Sequence, residues 1–332
     1  MTARRHRLQR CLVVIVGTGL LAACGGADTP STLDPKGDEA SDGAVVWWLL
    51  LAAATGVLVI VGGLILWGAL RRPRGNPGGL SDGAFVGIGG VALPLLVLIP
   101  VAVLTVVFTV RMRPAAGSGE ALRVEIVSHQ WWWEIRYPDL EIVTANELIV
   151  PTGEDVELTL TSADVIHSFW VPELAGKQDM VPGMTNQLTI RAREAGEYWG
   201  VCAEFCGTQH AGMRFVVFAR EPAEFERWVD ERRTITHPTG ELEQRGREVF
   251  ETNACAGCHA IEGTDADGTV GPDLTDFGSR ATIGAGVADN TPDDLARWIT
   301  DTQDVKPGAN MLATDISDAD LDALVAYLRS ER

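Results

Sequence analysis

The chain has 332 residues, enough for about two domains, and carries 45 acidic against 27 basic side chains for a formal charge of −18. That surplus argues against a nucleic-acid partner, because a phosphate backbone attracts basic surfaces, and it favours basic protein partners. Of six cysteines, two lie in the first 24 residues and four form two close pairs, which leaves none for a structural disulfide framework.

Residues 1–23 read as an export signal: Arg4, Arg5, Arg7 and Arg10 precede an apolar run from Cys11 to Leu20. Leu21-Ala22-Ala23-Cys24 is similar to the lipobox of bacterial lipoproteins, which implies lipidation at Cys24. The alternative is an ordinary signal peptide or short first span with Cys24 as a bystander. Residues 24–43, rich in Gly, Asp, Ser, Thr and Pro, form a flexible tether with too little apolar content to fold.

From Ala44 to Leu70 no residue is charged, and the run is long enough to span a membrane as a helix. Residues 71–79 then break it with Pro and Gly and add Arg71, Arg72 and Arg74. A second uncharged run follows from Ala84 to Val110, with Pro94 and Pro100 inside it. Together, 44–110 make a transmembrane hairpin. The positive-inside rule places the Arg71–Arg74 loop in the cytoplasm, although Arg111 and Arg113 after the second span weaken that vote.

Between residues 120 and 232 the pattern changes to short alternating β-branched segments at 122–127, 156–161, 187–191 and 215–218. Period-two alternation bounded by Pro, Gly, Asn and Asp predicts an antiparallel sandwich, followed by a helix over 221–235 with Phe225, Trp228 and Val229 on one face. The loop Cys202-Ala203-Glu204-Phe205-Cys206-Gly207-Thr208-Gln209-His210-Ala211-Gly212-Met213 lies between two of the strands. Soft sulfur ligands beside imidazole suit copper, and a second thiolate can bridge two ions, so the loop is a candidate dinuclear copper centre. Zinc held by Cys202, Cys206 and His210 and a redox-active cysteine pair are the alternatives.

Asp164-Val165-Ile166-His167-Ser168-Phe169-Trp170-Val171-Pro172, 35 residues upstream of the loop at its histidine, completes a recognisable pattern. Together with Cys-x-Glu-x-Cys-x-x-x-His-x-x-Met it resembles cytochrome c oxidase subunit II, a family that covers the hairpin and sandwich from about residue 40 to 232. The resemblance implies a cupredoxin-like Greek-key sandwich in which Cys202 and Cys206 bridge two coppers. His167 and Met213 complete one, while His210 and the Glu204 carbonyl complete the other. The Glu204 carboxylate matches a family residue that reaches magnesium at the contact with subunit I. In the run His129-Gln130-Trp131-Trp132-Trp133-Glu134, the resemblance makes Trp131 the point where electrons enter, with a plain packing cluster as the alternative. Three consecutive strand residues must alternate faces.

Thr236-His237-Pro238-Thr239-Gly240 marks a domain boundary, and residues 240–332 hold 19 acidic against 7 basic side chains. Cys255-Ala256-Gly257-Cys258-His259 is the attachment signal of a c-type haem, with Cys255 and Cys258 for the thioethers and His259 as proximal ligand. Met311, the only methionine after the signal, is the distal candidate by elimination. Gly271-Pro272-Asp273-Leu274 resembles the loop of class I cytochromes c whose proline carbonyl accepts the proximal N–H. The C-terminal helix, through Leu321, Leu324, Val325 and Leu328, is expected to pack near Val249 and Phe250. Thr291 and Ser317 have the spacing of helix caps.

The expected fold is thus a multi-domain membrane protein: transmembrane hairpin, all-β sandwich and all-α cytochrome c domain. The resemblance implies one subunit of a bacterial haem-copper oxidase, with both domains on the outer face of the cytoplasmic membrane. Subunits I and III, membrane lipid and an upstream cytochrome or its reductase are the implied partners, and proton translocation the implied coupling. The alternative is a membrane-anchored electron carrier serving another acceptor. Six histidines cannot furnish the histidine-rich propeller of nitrous oxide reductase, and quinol oxidase relatives lack the copper ligands retained here.

Overall fold

The computed structural model describes residues 30–70, 81–111, 121–234 and 236–331. The signal peptide, Cys24, the Arg71–Arg74 loop and Arg113 lie outside the described residues.

Helix α1 spans Asp38–Leu70, about 50 Å at 1.5 Å per residue and so longer than a hydrocarbon core of about 30 Å. It begins earlier than the sequence suggests, because the last residues of the expected tether are built into the sandwich. The N–H groups of Lys36 and Gly37 bond the Glu173 carbonyl at 2.7 and 2.9 Å, Gly37 bridges Ala192, and Arg193 donates to Pro35 O and Ser41 Oγ. Ala40 and Ala44 are buried there.

The second apolar run is helical from Asp82, as α2 (Asp82–Val86), a π-helical turn (Gly87–Ala92) and α3 (Leu93–Arg111). The Leu93 N–H reaches five residues back to Ile88 O. A proline at 94 can neither bond nor sterically accept the carbonyl four residues before it, and the wider turn makes room. Both helices are apolar enough to cross a membrane and expose that surface.

The next unit packs two five-stranded sheets, ordered β3-β2-β1-β5-β8 and β4-β10-β9-β6-β7. The strands are β1 Leu122–His129, β2 Trp132–Tyr137, β3 Ile142–Ala145, β4 Glu147–Pro151, β5 Val156–Ser162, β6 His167–Trp170, β7 Gln178–Met180, β8 Asn186–Ile190, β9 Gly196–Cys202 and β10 Arg214–Arg220. Alternation holds in β1, where Val124, Ile126 and Ser128 point inward, in β5, where Val156, Leu158 and Leu160 do, and in β8 at Leu188 and Ile190. It fails over 215–218, where Phe215, Val216 and Val217 are all buried because β10 is covered on both faces. The expectation of purely antiparallel pairing fails at β1–β5 and β4–β10, which run parallel. Alternation reports which face is buried, not strand direction. Helix α4 (Pro222–Arg233) buries Phe225, Trp228 and Val229, as expected, plus Arg232.

The last unit joins α5 (Glu241–Thr252), α6 (Pro292–Thr300), the short α7 (Thr302–Val305) and α8 (Asp318–Ser330). Its core unites Val249 and Phe250 with Leu324, Val325 and Leu328, and Leu321 packs at its edge. Thr291 and Ser317 cap α6 and α8 by accepting from the Asp294 and Asp320 amides. One element departs from an all-helical domain: a small hairpin, β11 (Thr282–Ile283) and β12 (Ala288–Asp289). It reaches the sandwich, where its Ala285 carbonyl accepts from Arg214 N at 3.1 Å.

A sulfur-rich metal centre and a haem-attachment site

Strands β9 and β10 pair with Val201 opposite Arg214, so the loop between them starts and ends at one point on the sheet. Phe169 of β6 lies opposite Cys202 of β9, which brings the start of β6, with His167, to the same place. The Cys202 and Cys206 sulfurs lie 3.7 Å apart, well beyond the roughly 2.05 Å of a disulfide. His167 Nδ1 stands 3.8 Å from Cys202 Sγ, and His210 Nδ1 3.7 Å from Cys206 Sγ. Met213 Sδ is 3.9 Å from Cys206 Sγ, and the Glu204 carbonyl 3.2 Å from Cys202 Sγ. All six sequence-derived ligand positions therefore converge. Among the described residues, His167, Cys202 and Cys206 form a buried cluster able to hold a metal ion.

The electrostatics favour a thiolate. Hydrogen bonding from the Cys206 thiol, against the opposing effect of burial and with help from His167, draws the Cys202 thiol well below its ordinary value. Burial lowers His167, yet Cys202 and Asp164 together hold it above its ordinary value. The Glu204 carboxylate is exposed, with Oε1 3.2 Å from its neighbour's amide at Phe205.

Three supports around the ligands were not read from the sequence. Asp164 Oδ1 lies 2.8 Å from His167 Nε2, which orients the ring and leaves Nδ1 for the metal. Gln130 Nε2 and Trp131 Nε1 both donate to the Cys206 carbonyl, at 2.7 and 3.1 Å. Gly207, at φ +115°, makes that approach feasible, because a Cβ there would lie 3.1 Å from both side chains. The Asp three residues before His167 was the available signal, although the motif alone assigned it no role. Of the three tryptophans, Trp133 is fully buried against Phe169 and Phe215, and Trp132 stacks on His129 at 4.2 Å. Trp131 sits in the turn before β2, so strand alternation does not govern it.

In the last unit, the His259 amide and that of Cys258 fold back onto the Cys255 carbonyl at 2.9 and 3.0 Å, which winds the attachment signal into a turn. His259 Nδ1 lies 2.7 Å from the Pro272 carbonyl, as the loop's resemblance implies, and this fixes Nε2 as the free nitrogen. Burial lowers the imidazole's proton affinity, which keeps that nitrogen available as a ligand. A Cβ at Gly271 would fall 2.4 Å from His259 Cε1, so the ring lies flush on bare backbone. Met311 is half-buried, with its carbonyl 3.5 Å from Gln303 Nε2. Val270 and Leu312, next in sequence to Gly271 and Met311, are large apolar side chains at 72% and 81% exposure. A tethering cysteine pair, an oriented imidazole and uncovered apolar neighbours suit a covalently held porphyrin.

Two family models match the chain, "Cytochrome C oxidase subunit II, periplasmic domain" over residues 141–220 and "Cytochrome c" over 243–331. Cytochrome c oxidase subunit 2 of Alkalihalophilus pseudofirmus is 36% identical over 325 residues, with 94% of each chain covered. That of Bacillus subtilis is 33% identical over 272 residues, with 76% of each covered. The periplasmic domain of subunit II of cytochrome oxidase from Bradyrhizobium japonicum also aligns, with 30% identity over 36% of this chain and 96% of that one, at a TM-score of 0.34. Near-complete coverage at this identity, together with both domain matches, means that the chain belongs to the cytochrome c oxidase subunit II family, in the form that carries a cytochrome c domain at its C-terminus.

Proposed function

We propose that this subunit accepts electrons at its own c-type haem, passes them to a dinuclear copper centre, and delivers them to haem in subunit I for reduction of oxygen to water coupled to proton translocation. The observation that carries the reading is the convergence of His167, Cys202, Cys206, His210 and Met213 on one pocket, with the two cysteine sulfurs 3.7 Å apart. Cys202 and Cys206 bridge the metals, His167 and Met213 complete one, and His210 with the Glu204 carbonyl the other. A pair of coppers sharing two thiolates spreads one electron over both ions, so that little reorganisation accompanies transfer. The protein's share is to hold that donor set dry and fixed: His167 and Met213 are wholly buried and Cys206 is 3% exposed.

In the C-terminal domain Cys255 and Cys258 carry the haem, while His259 and Met311 ligate its iron, a pair that raises the potential. The Pro272 carbonyl orients the proximal ring. Trp131 receives the electron on the copper side. The Glu204 carboxylate reaches magnesium at the contact with subunit I. Residues 1–23 direct export, Cys24 is lipidated, and 44–110 span the cytoplasmic membrane twice, leaving the domains over 120–232 and 240–332 outside. Subunits I and III are the membrane partners, and an upstream cytochrome or its reductase is the donor.

Metal analysis and an optical spectrum of the purified complex test this together: two coppers and one haem c per chain are expected. Zinc, or a single copper, overturns the metal assignment. A solubilised chain that never brings down a larger haem-bearing subunit instead marks a free-standing membrane electron carrier.

A further inference from the structure

Lys306 is a buried cation at the junction between the two domains, and among the described residues it has no carboxylate in ion-pair range, unlike Arg232, which pairs with Asp276 there. It is 3% exposed, and its ammonium donates to two carbonyls. Nζ lies 2.9 Å from Trp131 O, in the copper domain, and 2.8 Å from Gly284 O, in the hairpin of the haem domain. A buried ammonium without a carboxylate costs several kcal/mol, and a methionine of similar length would fill the same space without that penalty. The lysine also begins the segment Lys306-Pro307-Gly308-Ala309-Asn310-Met311, whose last residue is the distal-ligand candidate.

The rest of that segment lies along the copper loop. Gln209 Nε2 donates to Pro307 O at 2.6 Å, and Asn310 Nδ2 donates to Gln130 O at 2.9 Å. Gly308 touches Thr208 so closely that a Cβ would stand 3.1 Å from its methyl. On the far side, Gln130 and Trp131 both end on the Cys206 carbonyl. A hydrogen-bonded ladder therefore runs from the segment that ends at Met311, through Trp131, to a copper ligand. Lys306 is its deepest rung.

We propose that Lys306 is a positioning residue for electron transfer within the chain, fixing the Met311 segment against Trp131 so that the haem domain discharges directly into the copper loop. The inference rests on the function proposed above. In the step it serves, one electron leaves the haem iron, which goes from ferrous to ferric, and one arrives at the copper pair, with no bond made or broken and no proton displaced.

Lys306→Met in the full chain, assembled with its partner subunits, tests the proposal. After photochemical injection of an electron into the haem, haem reoxidation and copper reduction in the near infrared should slow together, by the same factor. The resting spectra of both centres should stay unchanged. Amide exchange at 130–131 and 207–209 should quicken, a readout that needs no turnover. Asn310→Ala, which removes an exposed rung, should slow transfer to a smaller extent. An unchanged rate in both variants overturns the proposal, and so does loss of either spectrum in Lys306→Met, which would make the lysine a core residue. Absence of copper or haem from the unsubstituted chain overturns the underlying function instead, so the two failures are distinguishable.

Discussion

Trp131 donates its indole N–H to the carbonyl oxygen of Cys206 at 3.1 Å. An aromatic ring on the surface of the β-sandwich is thereby joined to the backbone of a residue whose sulfur faces both the other cysteine and His210. The Gln130 amide donates to the same oxygen at 2.7 Å, so both donors engage the Cys206 carbonyl while its sulfur faces the cluster.

On the proposed function, replacing Cys206 with Ser removes one bridging sulfur while preserving size. Near-infrared copper absorption should disappear and the haem bands persist, as read from optical spectra of the purified variant. Loss of both signals would indicate misfolding rather than loss of a ligand.

Asp164 holds His167 through Nε2 at 2.8 Å. Partners of this kind typically contribute ten- to a hundredfold to metal affinity. Asp164→Ala should therefore weaken copper retention by roughly that factor in a chelator competition, with the thermal transition of the sandwich little changed.

On the proposed function, Met311→Ala should convert the haem to a different spin or ligand state, visible as an altered Soret position in the optical spectrum. An unaltered spectrum would remove Met311 from the axial role.

Glu147, 6% exposed in β4, accepts from the Ala281 and Thr282 amides at 2.8 and 3.0 Å, and nearby Arg232 pairs with Asp276 at 3.3 Å. Glu147→Ala strands those donors, at a cost of about 1–3 kcal/mol. Calorimetry of the full chain should show the haem-domain transition moving down.

Burial lowers the Lys306 ammonium from 10.5 to about 7. Between those two values the unfolded chain holds a proton that the folded chain does not, so stability should rise with pH through that window and level off above it. Below about 7 both states are protonated and this contribution is flat. Melting temperatures across the range should show the slope in the native chain and lose it in Lys306→Met.

The ligands were legible because their chemistry is local. Cys202, Cys206, His210 and Met213 lie within one loop, and Cys255, Cys258 and His259 within one turn, so spacing marks both candidate sites, while the place of His167 and the sharing of ligands between two coppers came from the family resemblance. The contact between the domains left no such trace. Lys306 meets Trp131 across 175 residues, and Glu147 meets Thr282 across 135. A single lysine or glutamate has no periodicity that would reveal a buried partner. The same limit explains the parallel β1–β5 and β4–β10 pairs: alternation fixes which side chains point inward, while strand direction is decided by neighbours elsewhere in the chain. Asp38 shows a third case, where a polar stretch that reads as slack is helical because Arg193 and Glu173 supply its backbone with partners.

That stitching at residues 35–41 has a mechanical meaning. Because the first turn of α1 is sewn to the rim of the sandwich rather than hung from a loose string, the anchor and the redox module form a single bracket. A partner that grips the shaft of α1 would therefore bear on the rim of the sandwich through those same bonds.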